Sequence, residues 1–282
     1  MLIAFGSLKS SPGSTTTAAA VAAMWPGSGA GEPVLLEADV RGGDVAARFN
    51  LATEPGLASL SVAARRSTDA SLVFEHVQEL PGGLKVLLAP PPADRTAAAM
   101  KMLAEDGRPW LRAVAEQQDL AVVTDLGDLA PLGWGWAVAE AAEVLLLVVR
   151  PVLEELTRVI SAAEALLARC EAAGTRLVLV TVGVGPFSKD EIEAETGIAV
   201  IAELPIDAAA AAMLAGRPDP RGILSRLAGG GGIAGLPLAK AAGALAATLA
   251  TEQLRPGSVS DAEPQDAVAD DGVESDRIGA LA

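Results

Sequence analysis

The chain has 282 residues, 51% of them apolar, with 36 acidic against 21 basic side chains and a formal net charge of −15. One cysteine, Cys170, excludes an internal disulfide or a multi-cysteine metal site, and one histidine, His76, argues against a His-based zinc site or a catalytic triad. The acidic balance opposes non-specific nucleic-acid binding and docking on anionic lipid, since both need clustered Lys and Arg.

The opening MLIAFGSLKSS lacks the basic start of a secretory signal, and its apolar run is too short to cross a bilayer, so a cytoplasmic location is expected. Strand-sized apolar runs are predicted at Leu2–Phe5, Pro33–Leu36, Lys85–Leu88, Leu120–Thr124, Val144–Val149, Leu177–Thr181 and Ala199–Ala202. Helices are predicted between them at Thr15–Met24, Gly43–Phe49, Gly56–Arg65, Asp94–Ala104, Trp110–Gln117, Leu153–Ala172 and Lys189–Thr196. Continuous apolar strands alternating with helices imply a three-layer α/β fold. Its mainly parallel, twisted sheet of seven or eight strands should have helices on both faces and the first strand at its centre. Leu153–Ala172 has the clearest helical period, with Leu156, Val159, Ile160, Ala163, Leu166 and Leu167 on one face and Gly174 as its stop.

Past Pro205 the pattern becomes helical, at Ala208–Leu214, Arg221–Leu227 and, after a GGGG run at 229–232, Leu236–Gln253. Residues 1–254 read as one domain. The segment 255–282 holds seven acidic residues, two arginines and little apolar periodicity, and is expected to be a disordered tail.

The stretch FGSLKSSPGSTTTAAAVAAM at 5–24 runs from the first strand into the first helix. Phosphate loops use consecutive backbone N–H groups at a helix N-terminus, with glycine for the turn, lysine for the β/γ-phosphates and Ser or Thr for magnesium. Aligned to G-x-x-x-x-G-K-[ST], only Gly13 and Thr15 remain, and Ser14 stands at the lysine position. Taken alone, the pattern is also that of a strand, a Ser/Pro/Gly turn and a helix capped by Ser14 or Thr15. Asp125 follows an apolar strand and is expected at the carboxyl edge of the sheet, where ligands bind; Asp39, just past the second strand, is expected there too.

Lys9 stands five residues before Ser14, and here the sequence resembles the MinD/ParA family of deviant Walker A ATPases, whose loop reads K-G-G-x-G-K-[ST]-T. PVLLEADVRGGDVAARFNL at 33–51 is similar to the family's second strand and switch segment, and DLAVVTDLGDLAP at 119–131 to its Walker B stretch. AEVLLLVVRPVLEEL at 142–156 and ELPIDAAAAAMLAG at 203–216 resemble later family segments in the right order. The resemblance implies a P-loop NTPase fold and binding of ATP with Mg²⁺. It implies phosphate contacts from Pro12, Gly13, Ser14, Thr15 and Thr16, and metal contacts from Thr15 and Asp125. Asp39 would position the attacking water, Thr181 and Pro205 would lie near the base, and Lys9 would reach a partner's nucleotide across a homodimer.

The departures have consequences of their own. Ser14 removes a cation from the clamp, Ser10 and Ser11 replace glycines, and Pro12 lacks an N–H, so nucleotide binding should survive better than hydrolysis. The function implied is a nucleotide-dependent switch that dimerises and positions an unidentified protein partner, in partitioning, division or pilus and secretion systems as in CpaE/TadZ-like members. The alternative is a non-catalytic scaffold that keeps the fold and dimer surface. An ATP-dependent enzyme acting on a small molecule ranks last, since no second catalytic constellation is visible. Neither a basic surface patch nor a basic amphipathic C-terminal helix is evident, so direct nucleic-acid or membrane binding is not expected. His76, Cys170 and the Arg65-Arg66 pair read as structural, while Trp134 and Trp136 suit either the core or a partner surface.

Overall fold

A computed structural model describes residues 1–8, 12–27, 30–217 and 232–251. The strands are β1 (Leu2–Ser7), β2 (Glu32–Glu37), β3 (Gln78–Glu79), β4 (Lys85–Leu87), β5 (Leu120–Asp128), β6 (Val144–Val149), β7 (Arg176–Val182) and β8 (Val200–Leu204). They form one sheet in the order β3-β4-β2-β5-β1-β6-β7-β8, parallel throughout except for the antiparallel edge pair β3–β4. Leu, Ile and Val dominate both faces of the inner strands, as burial on two sides requires. β1 is wholly buried between β5 and β6.

The helices are α1 (Ser14–Ala23), α2 (Val45–Phe49), α3 (Leu57–Ala64), α4 (Val73–His76), α5 (Ala93–Glu105), α6 (Arg108–Glu116) and α7 (Gly135–Ala139). They continue as α8 (Leu153–Ala173), α9 (Lys189–Thr196), α10 (Ala208–Leu214) and α11 (Pro237–Ala250). Two cores flank the sheet. Ile3, Phe5, Leu35, Val123 and Leu146 pack beneath α1 and α11, whose alanines allow close approach. Leu2, Leu36, Val122, Leu145 and Leu179 pack against α3, α5, α6 and α8 on the other face.

The predicted strands and helices are present, with shifted ends. β5 runs four residues past the predicted Thr124, because Phe5 still pairs with Asp125 and, after a register shift, Ser7 pairs with Asp128. The edge strand β3 has only Gln78 and Glu79, too short and polar for a periodicity signal, and α4 and α7 are one-turn elements of the same kind. On α8 the buried face is Leu156, Val159, Ala163, Leu166 and Cys170, while Ile160 is 40% exposed, a correction to the predicted stripe. The predicted helix Arg221–Leu227, the segment 255–282, and Lys9 with Ser10 and Ser11 lie outside the described residues.

Trp110 is fully buried on α6, and its indole N–H donates to the Asp69 carbonyl at 3.0 Å. Trp110→Ala should therefore cost about 3–5 kcal/mol, through lost burial, a cavity and an orphaned carbonyl. Urea unfolding would register this as a lower midpoint with little change in slope.

Candidate functional site

β1 leads to the carboxyl edge of the sheet, and the chain returns through Pro12, which is buried, to start α1. Gly13 precedes the helix at φ +106°, a backbone conformation open to glycine and rarely to other residues. The first helical bond runs from the Thr17 N–H to the Gly13 carbonyl at 2.8 Å. The amides of Ser14, Thr15 and Thr16 precede that bond, so helix geometry leaves them without intrahelical acceptors. Together with the helix dipole they make an anion-binding end. No residue from Pro12 to Thr16 carries a positive side chain.

Asp125 lies directly beneath this helix start. It pairs in register with Phe5 of β1 and Glu37 of β2, and it is almost wholly buried. Ser14, also buried, donates its hydroxyl to Asp125 Oδ1 at 3.3 Å, and the Thr15 hydroxyl hydrogen-bonds the same carboxylate. The Gly127 N–H donates to Asp125 Oδ1 at 3.1 Å. Burial pushes the Asp125 carboxyl above its ordinary range and the nearby Asp39 charge adds to this, while the bonds from Thr15, Gly127 and Ser14 pull the other way.

Asp39 reaches the same place from the end of β2. Gly127 has φ +60°, and a Cβ there would collide with the Asp39 carboxylate, so only glycine admits that approach. The Arg41 N–H donates to Asp39 Oδ1 at 2.9 Å. The Arg41 guanidinium lies 3.5 Å from Asp39 Oδ1 through Nε and 3.5 Å from Asp128 Oδ2 through a terminal nitrogen.

Glu37, at the first position of the acidic pair, has a structural task. Its Oε1 accepts from the Asp44 and Val45 amides at 2.7 and 3.1 Å, and its Oε2 accepts from the Ala89 amide at 3.0 Å. These bonds fix the start of α2 and the chain beyond β4. Burial raises its carboxyl above the usual range and Asp125 adds to that, against the pull of the three N–H bonds.

The expected site residues are thus brought together only in part. Gly13, Ser14, Thr15, Thr16, Asp39 and Asp125 converge at one edge. Thr181 does not join them: it is buried in β7 on the face of Leu179, while Val182 turns toward Gly13. Strand alternation separates the two, and Val182 is the β7 side chain beside the loop. Pro205 follows Leu204, whose carbonyl accepts from the Gly183 N–H at 2.8 Å, so it lies next to the end of β7. Asp207 caps α10 through Ala209 and Ala210 and also accepts from the Leu238 amide.

Among the described residues no three His, Cys, Asp or Glu side chains form a metal cage. Asp125 and the Thr15 hydroxyl nevertheless fit Mg²⁺, a hard ion commonly held by one carboxylate, a hydroxyl, phosphate oxygens and water. A cavity of about 500 Å³ runs along the flank of α1, lined by Met24, Trp25, Leu35, Phe49 and Met213 with Thr15 and Thr16 at one end. Its mainly apolar lining makes it a poor phosphate site.

The remaining singled-out residues fall outside the site. His76 Nδ1 is 2.9 Å from the Ser59 hydroxyl at the end of α4. Burial pushes the Cys170 thiol up to about 11, which makes it a poor nucleophile at neutral pH. Trp136 is buried, donates to the Ala130 carbonyl at 3.0 Å and stacks beneath Arg169, while Trp134 stays partly exposed. The residues that sequence reasoning passed over are Arg41, Gly127 and Asp128. Their only local signals are glycine-acid clusters, RGGD and DLGD, that read as ordinary turns.

No family model matches the sequence, and no curated protein matches it. Solved structures do. A ParA family ATPase from Chlorobium tepidum superposes with a TM-score of 0.63 at 22% identity, over 88% of this chain and 98% of that one. The septum site-determining protein MinD from Pyrococcus horikoshii, complexed with Mg-ADP, gives 0.61 at 14% identity, over 89% and 98%. The MinC:MinD cell division complex of Aquifex aeolicus gives 0.58 at 15%, over 88% and 94%. The chain has the MinD/ParA ATPase fold.

The folded Asp125 carboxyl binds its proton more tightly than in the unfolded chain. Its contribution to stability is therefore full in acid and is lost as pH rises through the raised folded value. Asp125→Asn keeps the acceptor oxygen and removes the buried charge. It should raise Tm at neutral pH, and the gain should shrink toward about pH 4. Calorimetry of both proteins across that range tests this; a gain independent of pH would contradict it.

Proposed function

We propose that this protein is a MinD/ParA-like nucleotide switch that binds Mg-ATP at Gly13–Thr16, with Asp125 and Thr15 on the metal side. The observation that carries the reading is the buried Asp125 carboxylate held by Ser14 and Thr15 under a glycine-turned helix N-terminus. Backbone amides and a helix dipole would take the phosphates, and Mg²⁺, when bound, would neutralise charge between Asp125 and the phosphate oxygens. The Mg-ADP complex of the Pyrococcus horikoshii MinD supports a nucleotide for this fold, and the MinC:MinD complex supports a protein partner.

Ser14 sets the expected pace of hydrolysis. Its hydroxyl bonds Asp125 at the position where a loop lysine would carry charge to the β/γ-phosphates. Losing one such contact typically costs about 10²–10³ in rate. Hydrolysis is therefore slow or absent, and binding outlasts it. In this reading Asp39 lies where it could orient a water, and Lys9 acts across an ATP-favoured homodimer. The dimer positions a partner for partitioning, division or secretion. In this reading the protein works in the cytoplasm, recruited to a membrane or nucleoid by its partner; no described helix is long and apolar enough to cross a membrane. The same Ser14 contact favours a second reading, a scaffold that keeps the dimer surface without turnover.

Saturating Mg-ATP should stabilise the folded protein by the linkage term, about 2.7 kcal/mol at a hundredfold excess over Kd, and raise Tm accordingly. The Thr15→Ala/Asp125→Ala double variant should lose this shift. An equal shift in both proteins would place the nucleotide elsewhere. Phosphate release from the wild type should be near background, and any residual rate should rise with protein concentration. Brisk turnover at high dilution would contradict the shared site.

A further inference from the structure

Trp134 and Trp136 have no part in the nucleotide reading. The loop after β5 that carries them borders a groove of about 300 Å³, closed by the α5–α6 turn and by α8 and lined by Arg108, Leu132, Trp134, Glu140 and Arg169. Trp136 packs into the core on the side of the sheet away from α1, so the groove is remote from the flank cavity. At its mouth Leu132 is 98% exposed and Trp134 39%. Side chains of this size gain about 1.5–3 kcal/mol from full burial.

The loop that presents them is braced on both sides of Leu132. The Gly133 N–H and the Trp136 indole N–H both donate to the Ala130 carbonyl, at 2.9 and 3.0 Å, and the Arg169 guanidinium donates to the Pro131 carbonyl at 3.0 Å. Arg169 is itself fixed, 4.0 Å over the Trp136 ring and bonded through Nε to Glu140 at 2.8 Å. An aliphatic and an aromatic anchor held in place beforehand lose little entropy on binding. Buried tryptophan and arginine anchors carry much of the energy of protein interfaces.

The charge around the groove differs from that of the chain. Lys101 lies 5.7 Å over the Trp134 ring, and Arg108 and Arg169 line the groove, against two carboxylates, Glu105 and Glu140. The chain as a whole has a net charge of −15, so this is a locally cationic place on an acidic protein. We propose that the groove docks an acidic segment of a partner protein that carries a leucine- or phenylalanine-like side chain. Its carboxylates meet Lys101 and Arg108, and its apolar side chain covers Leu132 and Trp134. The acidic remainder of the surface repels such a segment, which steers it here. This docking does not rest on the nucleotide reading.

The test is fluorescence anisotropy with the full chain and labelled synthetic peptides. One peptide is rich in Asp and Glu with leucines at helical spacing; in a second the leucines are alanines, and in a third the acids are lysines. Only the first should bind, and added salt should weaken it. Trp134→Ala and Leu132→Ser should each lower its affinity by about tenfold or more, as should Lys101→Glu combined with Arg108→Glu. Val184→Ser, at a side chain 99% exposed elsewhere, should leave it unchanged. Tm values matching the wild type, expected for exposed positions, exclude a folding defect. Absence of binding, or equal binding by all variants, would overturn the proposal. Three further outcomes would overturn it by naming another occupant. Self-association lost in Leu132→Ser would put a second copy in the groove. Binding of an oligothymidylate with the same variant pattern would put a nucleic acid there. Peptide binding that emerges only once the seven acidic residues of 255–282 are changed to their amides would assign the groove to the chain's own segment.

Discussion

Asp125 is a carboxylate taken out of water at the end of a central strand, and every neighbouring element is shaped by the need to satisfy it. β5 carries it, α1 begins with two hydroxyls that bond it, and the chain turns at Gly127 so that an amide can reach it. Moving a charge from water into the interior costs several kcal/mol unless hydrogen bonds or a counter-ion offset it. Here the hydrogen bonds offset part of that cost, and the raised carboxyl shows that part remains. A carboxylate held in this state favours a cation beside it.

Glu37 and Asp39, two residues apart on one strand end, illustrate how neighbouring carboxylates divide the work. Glu37 faces the core, and three backbone amides consume its acceptor capacity, so it is an anchor. Asp39 is past the strand and partly exposed; it accepts the Arg41 backbone N–H at 2.9 Å and lies 3.5 Å from its guanidinium. The anchored acid makes the segment around Arg41 a fixed platform.

Ser14 has a double consequence. As a small hydroxyl it adds a bond to Asp125, tightening the start of α1 against β5. As a replacement for a lysine it removes the one positive charge that a phosphate loop ordinarily presents from within.

Much of this architecture was legible in the sequence because its signals are local. Buried parallel strands must be continuous apolar runs, and helices between them must fit the 3.6 period, so strand order apart, the layers could be read directly. Gly13, Thr15 and Asp125 were recognisable because a turn at positive φ, a helix start and a strand end each restrict residue type. Polar two-residue β3 and the short helices carried no such restriction. The facing of Thr181 escaped because it depends on strand register, where a shift of one residue reverses the face. The linkage of Arg41 to Asp128 escaped for a related reason, since 87 positions separate residues that only β2 and β5 pairing side by side brings together. Sequence alone determined which elements form and where their chemistry-bearing ends lie, since propensity and burial act along the chain. Only the tertiary structure decided which carboxylate became an anchor and which are paired with Arg41, since charges interact through space across strands that the chain order keeps apart.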